Sequence, residues 1–295
     1  MERSKQARTL KERAKRYIPL ALQKQLYKVV KKARFLKHKH SNKVMTKEDL
    51  KEILRAAGLK ENDMVVVHSS LGRIGYVENG AKDVIDAFLE IIGKKGLLAI
   101  PCFPRYMYNK KYKMQEFDVK NTPAYTGAIP ETFRKLKGVK RSISPTHSYC
   151  AFGTRAEEFV SNHENCDNPF SMEGPFGKMY NWNAKIFLIG IDQLANTPLH
   201  IVENRVAFPL KLFTKKFKYL AILRDGKTEI HTARRHLDRL KKIRDPNILE
   251  KYCLQYDVMK IHKMGKTELR VLSTKNFIDM YEKLVKRGIT IYCLK

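Results

Sequence analysis

The sequence predicts an α/β protein, with a mixed, largely parallel sheet flanked by helices and a basic helical arm in front of it. Three observations predict it. Short apolar runs rich in β-branched residues, "MVVVHSS" (64–70), "GLLAIPCF" (96–103) and "AKIFLIGI" (184–191), have the length of buried strands. Between the first two lies the amphipathic stretch "KDVIDAFLEIIGKKG", so strand, helix and strand succeed one another at the spacing of a parallel unit. Hydrophobic residues make up 43% of the 295, enough to bury a sizeable core.

Residues 1–45 form a basic arm with 15 Lys and Arg against two Glu, and with apolar residues such as Leu22, Leu26 and Val30 at partly helical spacing. Such an arm is either an amphipathic helix for an anionic membrane surface or a solvated basic tail. Residues 46–295 form the body. Thr46, with Glu48 and Asp49 behind it, marks a helix start, and Gly58 marks its stop. The strand 64–70 ends in a run of small residues, Ser69, Ser70, Gly72, Gly75 and Gly80, before a helix that begins near Ala81 and closes at Gly93. Residues 231–260 read as helical and basic. "GKTELRVLSTKNFIDMYEKLVKRG" reads as a strand then a helix, and "ITIYCL" as a last strand.

Composition narrows the function. The net charge of +29 predicts an anionic partner: nucleic acid, an acidic membrane surface or a phosphate-bearing ligand. No recognised nucleic-acid module accompanies the charge, so nucleic acid is the least favoured. The five cysteines are odd in number, widely spaced and without a CxxC pair, which argues against a disulfide framework and a structural zinc site and fits a reducing cytoplasm. No apolar run approaches the roughly 18 residues that span a bilayer, and no signal-peptide core is visible.

Four stretches have the residue types for chemistry. The "HSSLGRIG" turn offers backbone N–H groups at a loop and helix start, which suits phosphate, though it is neither a Walker loop nor GxGxxG and could be a plain connector. "PTHS" (145–148) puts His147 on a loop or strand edge, where a histidine is often only structural. "HENCDNPFSMEGPFGKM" (163–179) is a long loop whose Phe170, Met172 and Phe176 wall a pocket or plug the core. "NTPLHIVE" (196–203) comes after a strand and carries His200 and Glu203 three apart, on one face of a helix if one starts there. That is a general-base arrangement or an ordinary surface pair.

Taken together, "VVVHSSLGRIGYVENGAKDVIDAFLEIIGKKGLLAIPCF", "FDVKNTPAYTGAIPETFRKLKGVKRSISPTHSYCAFG", "NPFSMEGPFGKMYNWNAKIFLIGI" and "NTPLHIVE" resemble the aminoglycoside 3-N-acetyltransferase family, over about residues 64–204 with a weaker echo near the C-terminus. The resemblance implies the fold of that family, acetyl-CoA or another acyl-CoA as co-substrate, no metal, and acyl transfer to an amine. It implies that His147, His200 and Glu203 are the catalytic group, with one histidine as base and Glu203 as its orienting partner. It implies that His68, Ser69, Ser70, Leu71, Gly72 and Ser148 contact the cofactor. Two departures from the family pattern stand out: Ser144 replaces a histidine before the proline of "PTHS", and Asn79-Gly80 replaces a double glycine.

The expected reaction is direct attack of a neutral amine on the thioester. The serines are candidates to hold the oxyanion, and nothing in the sequence activates Cys102 or Cys150 as an acyl relay. An aminoglycoside is a polycation and suits an acidic site, whereas this body is strongly basic. The leading expectation is therefore an amino-sugar acceptor that is nucleotide-linked, in cell-surface polysaccharide synthesis, with the arm at the inner face of the plasma membrane. The alternatives are aminoglycoside modification and a non-catalytic relative that binds membranes or polyanions.

Overall fold

The computed structural model describes residues 44–208 and 210–292. The basic arm, and with it the membrane-contact expectation, lies outside the described residues except for its last two positions. Among the described residues no helix is long and apolar enough to cross a membrane.

A seven-stranded sheet organises the body. From edge to edge it runs Met259–Met264, Thr267–Ser273, Lys185–Ile189, Met64–Ser69, Leu97–Pro101, Tyr149–Gly153 and Lys140–Arg141. The α/β class and the mixed sheet are as expected. Parallel pairing, however, is confined to the centre, where Met64–Ser69 lies between Lys185–Ile189 and Leu97–Pro101. The outer pairings are antiparallel.

Both faces of the sheet are covered, which is why its central strands read as unbroken apolar runs. On one face Val65, Val67, Leu98 and Ile100 meet Leu50 and Leu54 of the helix Lys47–Ala56 and Val84, Ile85 and Phe88 of the helix Ala81–Ile92. Thr46 caps the first of these in a reciprocal box with Asp49. Gly93 ends the second at φ 66°, a conformation that costs other residues energy. On the other face Val66, Ala99, Tyr149, Ile186 and Leu188 meet Phe159, Phe176, Met179, Phe277 and Tyr281. The helices there are Ala156–Val160, Pro175–Asn181 and Thr274–Lys286.

A second, four-stranded sheet has the order Thr228–Ala233, Phe217–Ile222, Met114–Asp118 and Met107–Asn109. The sequence does not announce it, because its strands are short and its outer positions are charged. Two expectations are corrected by the structure. Residues 231–260 are not one helical stretch. "TEIHTA" alternates β-branched and polar residues and forms a strand, and Asp245-Pro246 separates the short helices Leu240–Ile243 and Ile248–Gln255. "ITIYCL" is not a strand as far as it is described. Thr290 Oγ1 bonds the backbone of Tyr292 at both its N–H and its carbonyl, and only a single bridge to Arg244 forms. The strand and helix expected at 267–286 are present.

Candidate active site

The carboxyl ends of the parallel strands open onto a histidine cluster, the place where α/β sheets hold ligands. Thr197–Asn204 comes after the Lys185–Ile189 strand and has Pro198 in its first turn, where a missing N–H costs nothing. It is a 3-10 helix. With three residues per turn, positions i and i+3 eclipse, so His200 and Glu203 stand one above the other and Nδ1 donates to Oε1 at 2.7 Å.

Glu203 is the electrostatic centre. Its side chain is 1% exposed. Oε1 accepts from His200 and from the Tyr292 hydroxyl at 2.6 Å, and Oε2 accepts from His236 Nε2 at 2.7 Å. Burial opposes its ionisation, but the two imidazoles and the hydrogen bonds they donate outweigh burial and hold its carboxyl well below the usual range. Burial pushes the His200 imidazole down to about 4, against the pull of Glu203. A neutral His200 with its proton on Nδ1 has Nε2 as an acceptor, and the Arg244 guanidinium donates to it from Nη1 at 3.4 Å. Burial also pushes the Tyr292 hydroxyl up, so it stays a donor.

Phe170 is the wall against which the histidines are assembled. It stacks on His200 at 4.7 Å and contacts His147 and His236, each at 4.8 Å. Phe213 stacks on His236 at 5.0 Å and lies 6.1 Å from Phe170. His147 sits between Phe170 and Phe103, and its backbone N–H donates to Ser144 Oγ at 3.1 Å. Burial, then the fields of His236 and His200, push its pKa well below the ordinary histidine value. Its Nδ1 is buried and has no partner among the described residues. Phe176 belongs to the core beneath.

The three expected catalytic residues thus come together. The expected cofactor contacts divide. Ser69, Ser70, Leu71 and Gly72 form the turn at the end of the Met64–Ser69 strand, and Ser69 Oγ is buried without a partner among the described residues. A Cβ on Gly72 would meet nothing within 4 Å, so ligand has room there. His68 and Ser148 face inward instead. His68 is neutral, its pKa pushed down to about 3 by burial, and it meets the Tyr149 hydroxyl at 3.2 Å. Tyr149 in turn meets Thr197 Oγ1 at 2.9 Å, which ties this strand end to the His200 helix. Ser148 is fully buried; its hydroxyl donates to the Cys102 carbonyl at 2.7 Å and accepts from Arg141 Nε. Packing and hydrogen bonding turn both side chains into the core.

His236, Tyr292, Arg244, Phe103 and Phe213 carry no local sequence signal. His236 lies 33 residues from Glu203, and Tyr292 lies 89. Donor atoms of His200, Glu203 and His236 lie within 4.8 Å of one another, the residue set of a metal site. Here each imidazole N–H points at its own carboxylate oxygen, so the lone pairs do not converge and the cluster reads as a hydrogen-bonded relay. Cys102 and Cys150 are buried, and burial drives the Cys102 thiol well above its ordinary pKa, the reverse of an activated nucleophile.

Comparison with known proteins gives a consistent picture. A family model described as aminoglycoside 3-N-acetyltransferase matches residues 66–286. The aminoglycoside N(3')-acetyltransferase-like protein YokD of the SPbeta prophage in Bacillus subtilis is 27% identical over 81% of this chain and 91% of its own. Aminoglycoside N(3)-acetyltransferase IX of Micromonospora chalcea is 27% identical over 56% of this chain, which spans 63% of that relative. Among solved structures, aminoglycoside acetyltransferase AAC(3)-Xa superposes with a TM-score of 0.75 at 22% identity, over 88% of this chain and 98% of that one. AAC-IIIb in a binary complex with CoASH gives 0.73 at 19% identity, over 85% and 100%.

Proposed function

The chain belongs to the aminoglycoside 3-N-acetyltransferase family, and from that premise we propose that it moves an acetyl group from acetyl-CoA to a primary amine on an amino sugar, an aminoglycoside in the first instance. This reverses the order expected from bulk charge, because the relatives are named for aminoglycosides. The single observation that carries the mechanism is Glu203, which collects donors from His200, His236 and Tyr292 and so fixes the His200 proton on Nδ1, leaving Nε2, which accepts from Arg244 Nη1 at 3.4 Å, as the basic atom.

In this reading the thioester lies against the Ser69–Gly72 turn, with the backbone there and the orphan Ser69 hydroxyl available to the oxyanion. The neutral amine attacks the carbonyl carbon, and the nitrogen becomes strongly acidic as its new bond forms. A weak base then suffices to remove its proton, and a weak base is what His200 is. Glu203 stabilises the imidazolium, the carbonyl re-forms, and the C–S bond breaks to release the CoA thiolate. His147 walls the same space and offers its unpartnered Nδ1 to the acceptor. No covalent enzyme intermediate is needed.

A second reading has its own observation. Arg244 stands at His200, and the segment 234–245 carries seven Arg, Lys and His against two Asp. Such a rim favours an acceptor with phosphate, as in a nucleotide-linked amino sugar, over a polycation. Thiol release from acetyl-CoA, measured with aminoglycosides and with nucleotide amino sugars side by side, tests both. Turnover that is lost in His200→Gln is expected. Absence of thiol release with every amine, together with no thermal stabilisation by CoA in the full chain or in a chain lacking residues 1–43, overturns the acetyltransferase reading.

A further inference from the structure

At the outer edge of the second sheet, the hairpin made by Met107–Asn109 and Met114–Asp118 presents large aromatic rings to solvent. Tyr106, Tyr108 and Tyr125 are exposed at 61%, 54% and 60%. Tyr125 belongs with the hairpin because the backbone at 103–105 pairs with that at 123–125, through the Pro104–Ala124 bridge and the bond from Tyr125 N–H to the Phe103 carbonyl. The cations Arg105, Lys110, Lys111 and Lys113 lie in the same segment. Its carboxylates are engaged locally: Glu116 accepts from Asn109 Nδ2, and Asp118 accepts from the backbone of Lys120 and Asn121. Lys111 Nζ lies 5.3 Å from the centre of the half-exposed Tyr112 ring, and the other aromatic faces and cations of the hairpin stand beside that pair at the surface.

The register connects this surface to the histidine cluster. Tyr108 lies opposite Gln115, and Gln115 lies beside the buried Tyr219, so the three side chains share one face of the sheet. Gln115 Nε2 donates to the Pro145 carbonyl at 2.9 Å, two residues from His147. Tyr125 reaches the same place through Phe103, which lies 6.5 Å from Tyr125 and 4.7 Å from His147. One sheet face therefore runs from the interior, past the loop that holds His147, out to exposed rings on its rim.

We propose that this aromatic and cationic shelf is a subsite for a nucleoside diphosphate, the handle of the acceptor, with the base stacked on Tyr108 or Tyr125 and the phosphates on the flanking Arg and Lys side chains. A flat ring joined to adjacent negative charges is the ligand that such a surface recognises by stacking and charge. An aminoglycoside has neither and would be repelled. The subsite rests on the second reading of the function. CoA, whose ADP part has the same chemistry, is the other source of such a ligand.

Isothermal titration of the full chain with UDP, dTDP and GDP, and separately with ADP and CoA, tests it. The variants are Tyr108→Ala/Tyr125→Ala and Lys110→Gln/Lys111→Gln/Lys113→Gln, all at surface positions. The expected result is that at least one of the first three ligands binds, that each variant weakens it tenfold or more, and that CoA binding stays within a factor of two. Binding of a nucleoside diphosphate that ignores both variants overturns the shelf while leaving the nucleotide acceptor standing. No binding by any of the three, where CoA binds, overturns the nucleotide acceptor itself. Variants that weaken CoA and ADP alone move the shelf to the donor and overturn the proposal.

Discussion

Replacing Glu203 by Gln keeps the shape of the side chain and removes its charge, so it isolates what the carboxylate does. The carboxylate receives three short hydrogen bonds, from His200 and His236 at 2.7 Å and from Tyr292 at 2.6 Å. A hydrogen bond to a charged group is worth about 1.5–3 kcal/mol and a neutral one about 0.5–1.5, so each of the three weakens by roughly 1 kcal/mol. The total of about 3 kcal/mol is offset in part, since a charge no longer has to be buried. The amide adds a second problem: its NH2 donates, so one imidazole now meets a donor with a donor unless it changes tautomer. We expect the melting temperature to fall by roughly 2–4 °C per kcal/mol lost. We expect kcat/KM for thiol release to fall by about 100-fold to 10,000-fold, the usual worth of a general base, while CoA affinity is retained. Glu203→Asp, which keeps the charge on a shorter stem, should fall between the two. A Gln variant that keeps kcat/KM within a factor of about three would refute the assignment of Glu203 as the group that orients and charges His200.

Burial and close contact set the other expected outcomes. His68, His163 and His200 are held neutral by burial at about 3, 4 and 4 against an ordinary 6.5. The unfolded chain therefore takes up protons first as pH falls, so stability is highest above about 6.5 and drops towards pH 4, by on the order of a few kcal/mol in all; chemical denaturation at pH 7, 5.5 and 4.5 should show it. The acid limb of kcat/KM should follow the substrate's own ammonium pKa and move with it between two amines of different basicity, because His200 itself protonates only near 4; a limb at 6.5 that stays fixed when the amine is changed would exclude His200 as the base. Ser148→Ala leaves the buried Arg141 Nε unpaired and should cost about 1–3 kcal/mol of stability with CoA affinity unchanged, whereas a cofactor contact would show the opposite. Gly177→Ala would drive its Cβ into the Met172 carbonyl oxygen, so the Pro175–Asn181 helix must leave the loop that carries Phe170, and loss of soluble folded protein is the expected outcome.

By itself the sequence determined the class of the fold and the local geometry of its motifs. Apolar runs at "MVVVHSS" and "AKIFLIGI" mark the central strands because burial on both faces leaves no room for polar residues. His200 and Glu203 could be paired in advance because they stand three positions apart on one helix, and a short-range distance needs no tertiary information. The order of the motifs carried the family. What the sequence could not hold is anything set by chain segments that meet from afar. His236 and Tyr292 join Glu203 only when the segment beyond the second sheet and the C-terminal segment are packed down. Arg244 meets His200 across 44 residues, in the extended link that Pro246 imposes between two short helices. His68 and Ser148 belong to motifs that carry chemistry, yet they end in the core, where desolvation keeps one neutral and hydrogen bonds occupy the other. Among the described residues, the fold sets Arg244 beside His200 and the cations Lys110, Lys111 and Lys113 in one hairpin with exposed tyrosines. Burial, more than residue type, decides which of these groups can act.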